Sequence, residues 1–429
     1  MSATLKRFGI VISAISGIQG VIAPVLYLLL LDKGITLMEV GILLAILTGF
    51  GLVFEVPFGT LADNFGRKRV FLLGESVLLF AIFGFWLADS FAALALVMAL
   101  NGIGTALISG TLDALFVEKH NEEVVNGEGT LNTQQSQAAF GTFQAAGLAI
   151  GSILAGVIPL VFEPISSGTE LIGFYEMNVV VLIPLVVLHL ALTGFLIPES
   201  GLELSNSIRE SAVAIKPFFI DTLQKIKGSQ VIVLLLVMEF MGGVAAISIE
   251  QLWQPRFADL IDAKSSTWAF GLIFTVNFVL VAIGQGLSVP LGKLFRHRYP
   301  EMLLVLELVV AGLLLLFAFQ NSVGGFVLCF MTLALVGGAT MSPFMAMFHE
   351  SVEEEHRSTM LSAKSMFMQG GIMVGAVTAG ALAANYDIKT AWLAAAAILI
   401  FSTLFYLLPP IKEFSRSLAA KERSRDRDS

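Results

Sequence analysis

The 429 residues are 56% hydrophobic and only 14% charged, with 34 Phe and 40 Gly, whereas soluble domains carry about 25% charged residues. That deficit, with a mean hydropathy of +0.85, excludes a soluble globular chain and points to a polytopic helical membrane protein with no nucleic-acid partner. The single cysteine, Cys329, lies inside an apolar stretch, which excludes an internal disulfide and a cysteine-based metal site; the net charge of −8 says less than where the charges lie.

A helix needs about 20 apolar residues to cross the bilayer core. Twelve stretches qualify, at roughly 8–31, 39–61, 70–88, 93–117, 133–158, 173–197, 229–249, 268–290, 301–320, 325–349, 358–384 and 389–409. Helices are expected because every backbone amide must be satisfied inside hydrocarbon. Met1–Phe8 leads straight into the first span without a small-residue cleavage site, so no removable signal peptide is expected. The expected fold is an all-α integral membrane protein. Its twelve helices form two pseudo-symmetric six-helix bundles, 1–198 and 229–410, joined by a loop at 199–228 and followed by a tail at 411–429.

An even number of spans puts both termini on one side. That side takes every Lys and Arg except Lys33, Arg256, Lys264 and Lys389. Basic residues mark the cytoplasmic face, so both termini are expected in the cytoplasm and the protein in the plasma (inner) membrane. Ile215–Ile226 in the central loop has apolar residues near helical spacing and is expected to form an interfacial helix. The tail mixes charges of both signs and is expected to be solvated.

The halves repeat. Glu75 and Glu307, Phe116 and Phe348, and Glu118 and Glu350 share one offset, and Pro57-Phe-Gly-Thr-Leu61 matches Pro290-Leu-Gly-Lys-Leu294 with one residue of slip. Gly147-x-x-x-Gly151 in span 5 has a counterpart in Gly371-x-x-x-Gly375 of span 11.

Gly59-Thr-Leu-Ala-Asp-Asn-Phe-Gly-Arg-Lys-Arg69 is a polar turn between two apolar spans. Its pattern, G-x-L-x-D-x-x-G-R-K-R, resembles the loop between helices 2 and 3 of the major facilitator superfamily of transporters. The resemblance implies two six-helix halves, each a 3+3 inverted repeat, that work by alternating access. It implies a cytoplasmic latch in which Asp63 and Arg67 pair in one state and part in another, with Gly59, Gly66 and Arg69 completing the turn. Asp113, at the inner end of span 4, is the expected third partner. The plain alternative is that Arg67–Arg69 only set topology.

Asn101, Thr105, Ser109 and Asp113, four apart, put a polar stripe on span 4, facing a cavity or bonding to neighbouring helices. The superfamily often has an arginine in this span, and Leu94, Asn101, Gly102 and Gly104 fit its pattern, but Met98 stands at the arginine position. That departure puts the antiport route tied to the arginine in doubt. Span 5 resembles the antiporter signature G-x-x-x-G-P-x-x-G-G, reading Gly147-x-x-x-Gly151-Ser-x-x-Ala-Gly156 with serine for proline. Small residues at that spacing equally serve close helix packing. Gln134, Gln137 and Gln144 give the same span a polar face.

Glu239 stands about 15 Å into span 7, near the midplane, with no basic residue expected beside it. An acid there is expected to bind a proton or attract a cationic substrate; a structural, hydrogen-bonded carboxyl is the alternative. Glu55, beside Pro57, is the second candidate, and Asn101, Thr105 and Gln144 are further ones. Glu75 and Glu307, related by the repeat, and His189, alone on an apolar face, are expected to be structural. No phosphate-cradling loop, nucleophile triad or metal cluster is recognisable, so neither cofactor nor metal is expected.

Within the superfamily the chain most resembles the drug:proton antiporter branches, which implies a monomeric secondary transporter, not an enzyme, that exchanges protons for lipophilic neutral or cationic small molecules. A symporter or facilitator for a polar metabolite, and a non-transporting receptor or lipid-handling protein, are the alternatives. Topology is directly testable. Reporter fusions at Ser429 and within 200–228 should read cytoplasmic, and one near Lys264 external. An external Ser429 would invert the orientation.

Overall fold

The structure, a computed structural model, describes residues 2–126, 132–168, 172–198, 226, 228–353 and 356–416. Among these residues all regular structure is helical, and twelve helices are long and apolar enough to span a membrane. They are α1 Ala3–Ile22, α2 Leu37–Phe65, α3 Arg67–Leu87, α4 Phe91–Val125, α5 Gln135–Val161 and α6 Glu176–Leu196, then α7 Gln230–Ala258, α8 Thr267–Leu294, α9 Tyr299–Ala318, α10 Val323–Ser351, α11 Thr359–Asn385 and α12 Ile388–Leu407. The expected interfacial helix before Ile226 and the tail beyond 416 lie outside the described residues.

Three boundaries differ from the sequence reading, each for a local reason. The first span stops at Ile22, followed by a separate short helix, Leu26–Asp32, because Pro24 lacks the amide hydrogen that would continue the ladder. The polar segment 59–69 is scarcely a loop. α2 runs on to Phe65 and α3 begins at Arg67, leaving Gly66 alone between them at φ +96°, a conformation side chains rarely adopt. Gly59 is instead inside α2, where an added Cβ would meet nothing within 4 Å, so it is not a turn residue. Finally, α4 is broken. Its helical segments are Phe91–Ile108 and Thr111–Val125, with Gly110 at φ +68° between them.

The chain divides into two compact units. One comprises Met1–Thr36, Ile46–Lys216 and Asp262–Thr275; the other comprises Leu37–Ala45, Pro217–Ile261 and Val276–Ser429. In the first, α1 packs along α5. A Cβ at Gly147 would lie 1.9 Å from the Ser13 carbonyl oxygen, and one at Gly151 would lie 2.0 Å from that of Gly17. In the second, α7 packs along α11 in the same way, with a Cβ at Gly371 falling 2.0 Å from the Phe240 carbonyl oxygen. Helix association in lipid lacks a hydrophobic drive and depends on such close approach. The glycine spacing that repeats between the halves is therefore a packing device in both. Aromatic side chains fill the remaining space. Phe116 stacks on Phe140 at 4.6 Å and packs at a tilt against Phe8 at 5.6 Å. In the second unit the buried Trp392 indole donates to the Ser248 carbonyl at 3.0 Å and packs on Phe317.

Gly151→Leu and Gly371→Leu should each lower the thermal unfolding temperature in detergent, by strain of about 1–3 kcal/mol. Gly59→Ala should leave it within error. A stable Gly151→Leu protein would show that the helices separate without penalty.

Candidate functional site: two cavities and a basic turn

At the α2–α3 turn, Arg67 holds two carboxylates. Its guanidinium donates to Asp63 Oδ1 at 3.1 Å and to Glu118 Oε2 at 3.3 Å. The first is an i,i+4 pair that the one-residue turn permits; the second ties α3 to the end of α4. Lys68 donates to the Gly194 carbonyl at 2.9 Å, joining α3 to α6. Arg69 is exposed. The expected third partner, Asp113, is not there. It lies exposed in the first turn of the segment that begins after Gly110, and the break turns it off the stripe of Asn101 and Thr105. Glu118, more than a turn further on, takes its place. Arg67 and its partners are partly to largely solvent-exposed, so these pairs are individually weak and suited to opening.

The first unit encloses a cavity of about 220 Å³ lined by Gln19, Glu75, Met98, Asn101 and Thr105 among apolar side chains. Asn101 and Thr105 line the cavity from one helix, and the Thr105 hydroxyl donates to Asn101 Oδ1 at 3.4 Å. Met98, where an arginine is common, is a buried wall of this cavity. Glu75 is 1% exposed, lines the cavity, and contacts His189 Nδ1 through its Oε1. His189 is therefore neither alone nor on a purely apolar face. Gln144 is exposed on α5, and neither it nor Glu55, half-buried in α2, lines either cavity described here.

The second unit holds a cavity of about 450 Å³. Its wall is largely apolar, with Ile249, Val310, Phe330, Leu333, Phe344 and Met368. Set into that wall are Glu239, Glu250, Glu307 and Lys364. Glu239 lies about 14 Å along α7 from Gln230, as its sequence position requires. The expectation that it lacks a basic neighbour is overturned. Lys364, about two turns into the helix that begins at Arg357, donates to Glu239 Oε1 at 2.6 Å, with the two side chains 17% and 12% exposed. Glu307 accepts from the Tyr406 hydroxyl at 2.6 Å. Glu250 has neither a hydrogen bond nor an ion pair to a described residue. Lys364, Glu250 and Tyr406 are the residues the sequence reading missed. The positive-inside count puts Lys364 with the basic residues of the cytoplasmic side, although a buried acid in an apolar span calls for a cation within reach.

Twelve apolar helices in two units, each with a protein-lined cavity bearing paired ionisable groups, define a polytopic membrane transporter. The family model of the Major Facilitator Superfamily matches residues 8–261 and 262–427, and the chain belongs to that superfamily. It is similar to the MFS-type transporter YxaM of Bacillus subtilis (strain 168), with 23% identity over 406 residues, covering 94% of this chain and 95% of that one. Among solved structures it resembles the nucleoside transporter NupG (TM-score 0.72, 14% identity, covering 95% of this chain and 98% of that one). It also resembles a bacterial homologue of the human lysosomal transporter Spinster (TM-score 0.69, 13% identity, covering 97% of each). These structures share its fold.

Removing one partner of a buried ion pair strands the other charge, at a cost of about 3 kcal/mol or more. Lys364→Ala should therefore destabilise the purified protein more than the double variant Glu239→Gln/Lys364→Met. If the single and double variants unfold at the same temperature, the pair contributes no coupling.

Proposed function

We propose that this superfamily member is a proton-coupled exporter of lipophilic neutral or cationic small molecules, with both termini cytoplasmic and the second-unit cavity as its substrate site. The observation that carries this reading is the charge balance of that cavity. Three carboxyl groups, Glu239, Glu250 and Glu307, face one ammonium, Lys364, within a largely apolar wall. A lipophilic cation gains apolar contact there and finds in Glu250 a carboxyl not committed to another side chain. Coulomb attraction at low effective dielectric then favours cations over isosteric neutral compounds. The Arg67 pairs, exposed and shared between α2, α3 and α4, suit a latch that exchanges partners as access alternates. Efflux rests on the resemblance to the antiporter branches.

A second reading, a symporter or facilitator for a polar metabolite, draws on Lys364, Asn277 and Thr340 in the same lining and on the nucleoside substrate of NupG.

Proteoliposomes separate the two readings. Under an imposed pH gradient, a lipophilic cation such as tetraphenylphosphonium should accumulate against its gradient, while a nucleoside should not. Glu239→Gln, which shifts the cavity by one positive charge, should weaken cation binding by roughly tenfold, about 1.4 kcal/mol, and change binding of a neutral lipophile far less. Nucleoside accumulation without cation transport would establish the second reading.

A further inference from the structure

In the first unit, His189 Nε2 lies 2.9 Å from the Val11 carbonyl oxygen. A carbonyl only accepts, so Nε2 carries a hydrogen and donates it. The other ring nitrogen, Nδ1, contacts Glu75 Oε1. Without a proton between them, two lone pairs would face each other and the pair would hold a net negative charge. Both residues are 1% exposed, and an uncompensated charge in such surroundings is strongly disfavoured. The contact therefore holds one proton, as imidazolium and carboxylate or as imidazole and carboxylic acid, and the pair is neutral. The second oxygen, Glu75 Oε2, is buried with no hydrogen-bond partner among the described residues. Glu75 also lines the 220 Å³ cavity, where Gln19, Asn101 and Thr105 set polar groups among apolar side chains, a volume large enough to admit water.

We propose that the Glu75–His189 pair is a proton-binding site of this transporter, built wholly within the first unit. The step is a single proton transfer. Water in the cavity removes the shared proton, leaving Glu75 as carboxylate and His189 as neutral imidazole still donating from Nε2 to Val11, and the pair goes from neutral to a net charge of −1. Uptake of a proton from the opposite side restores it. The surroundings hold few competitors. α5 and the Phe91–Ile108 part of α4 carry no titratable side chain, α1 carries only Lys6 and Arg7 near its start, and α6 only Glu176 besides His189. On α3 the other charged groups are Arg67, Lys68 and Arg69, about two turns before Glu75. In the Thr111–Val125 segment, Asp113 is exposed, Glu118 is held by Arg67, Lys119 by Glu122, and Glu123 accepts from the Thr4 amide. His120 in that segment is buried against Phe116. None of these side chains bonds to Glu75 or His189.

This inference rests on the proton-coupled reading, and one set of vesicles tests both. ΔpH-driven accumulation and substrate counterflow of tetraphenylphosphonium are measured for the unaltered protein, Glu75→Gln and His189→Gln. The expected result is that each variant lowers the ratio of accumulation to counterflow at least tenfold. Counterflow without accumulation in the unaltered protein would overturn the coupling reading itself. Accumulation in the unaltered protein that both variants keep within twofold would overturn the dyad alone. A second measurement needs no functional transport variant. In ¹⁵N-histidine spectra of the unaltered protein in nanodiscs, with the His189 signals among those of the five histidines assigned by their loss in His189→Gln, both ring nitrogens of His189 should be hydrogen-bonded to protons, and one proton should be lost on alkalinisation. A bare Nδ1 from pH 5 to pH 9 would overturn the proposal.

Discussion

The structure depends on one constraint: an ionisable group within the hydrocarbon thickness must find a partner or face a protein-lined or water-filled space. Glu239 and Lys364 meet it in the second unit, reaching each other between α7 and α11 at 2.6 Å. Glu75 and His189 meet it in the first, between α3 and α6. Glu307, the repeat counterpart of Glu75, meets it through Tyr406 at the end of α12. In both halves, then, an acid at the same place in the third helix is tied to a side chain of the sixth. The repeat preserves the position of the acid and changes its partner, from an imidazole in the first half to a phenol in the second. That difference gives the two halves different chemistry on one scaffold.

The scaffold that brings these groups together comes from small residues. α1 lies against α5, and α7 against α11, so closely that a single methyl group at Gly147, Gly151 or Gly371 would fall within 2.0 Å of a facing carbonyl oxygen. The same approach of α7 and α11 places Lys364 beside Glu239. The span-5 pattern that resembles an antiporter signature thus serves close packing of α5 on α1. The basic turn has a different character: its ion pairs are exposed enough to break at little cost, as a latch requires.

Much of this was legible in the sequence. Hydropathy located the twelve spans, because the need for internal hydrogen bonding leaves so few alternatives. The common offset of Glu75 and Glu307 pointed to a repeat, and the Gly-x-x-x-Gly spacing pointed to two close helix contacts. What was not legible followed from local breaks and long-range pairing. Asp113 was placed on the stripe of Asn101 and Thr105 by counting along an unbroken helix; Gly110, after Ser109, ends that helix, and the Ser-Gly step is the signal that marks it. Lys364 was counted with the cytoplasmic basic residues and Glu239 left without a partner, because nothing local in either span states which helices adjoin. His189 was set aside as isolated for the same reason. An acid and a base each stranded in an apolar span are mutual candidates, and that complementarity was the available signal.

The Glu239–Lys364 pair lines the second-unit cavity, the proposed substrate site. The most direct measurement is thiol accessibility in protein carrying Cys329→Ser together with Met368→Cys, a position in the wall of that cavity. A membrane-impermeant thiol reagent should modify the introduced cysteine in purified protein, and a saturating transported cation should slow that reaction severalfold. A cysteine that stays inert while the protein remains folded, or one whose modification a transported substrate does not slow, would contradict the account.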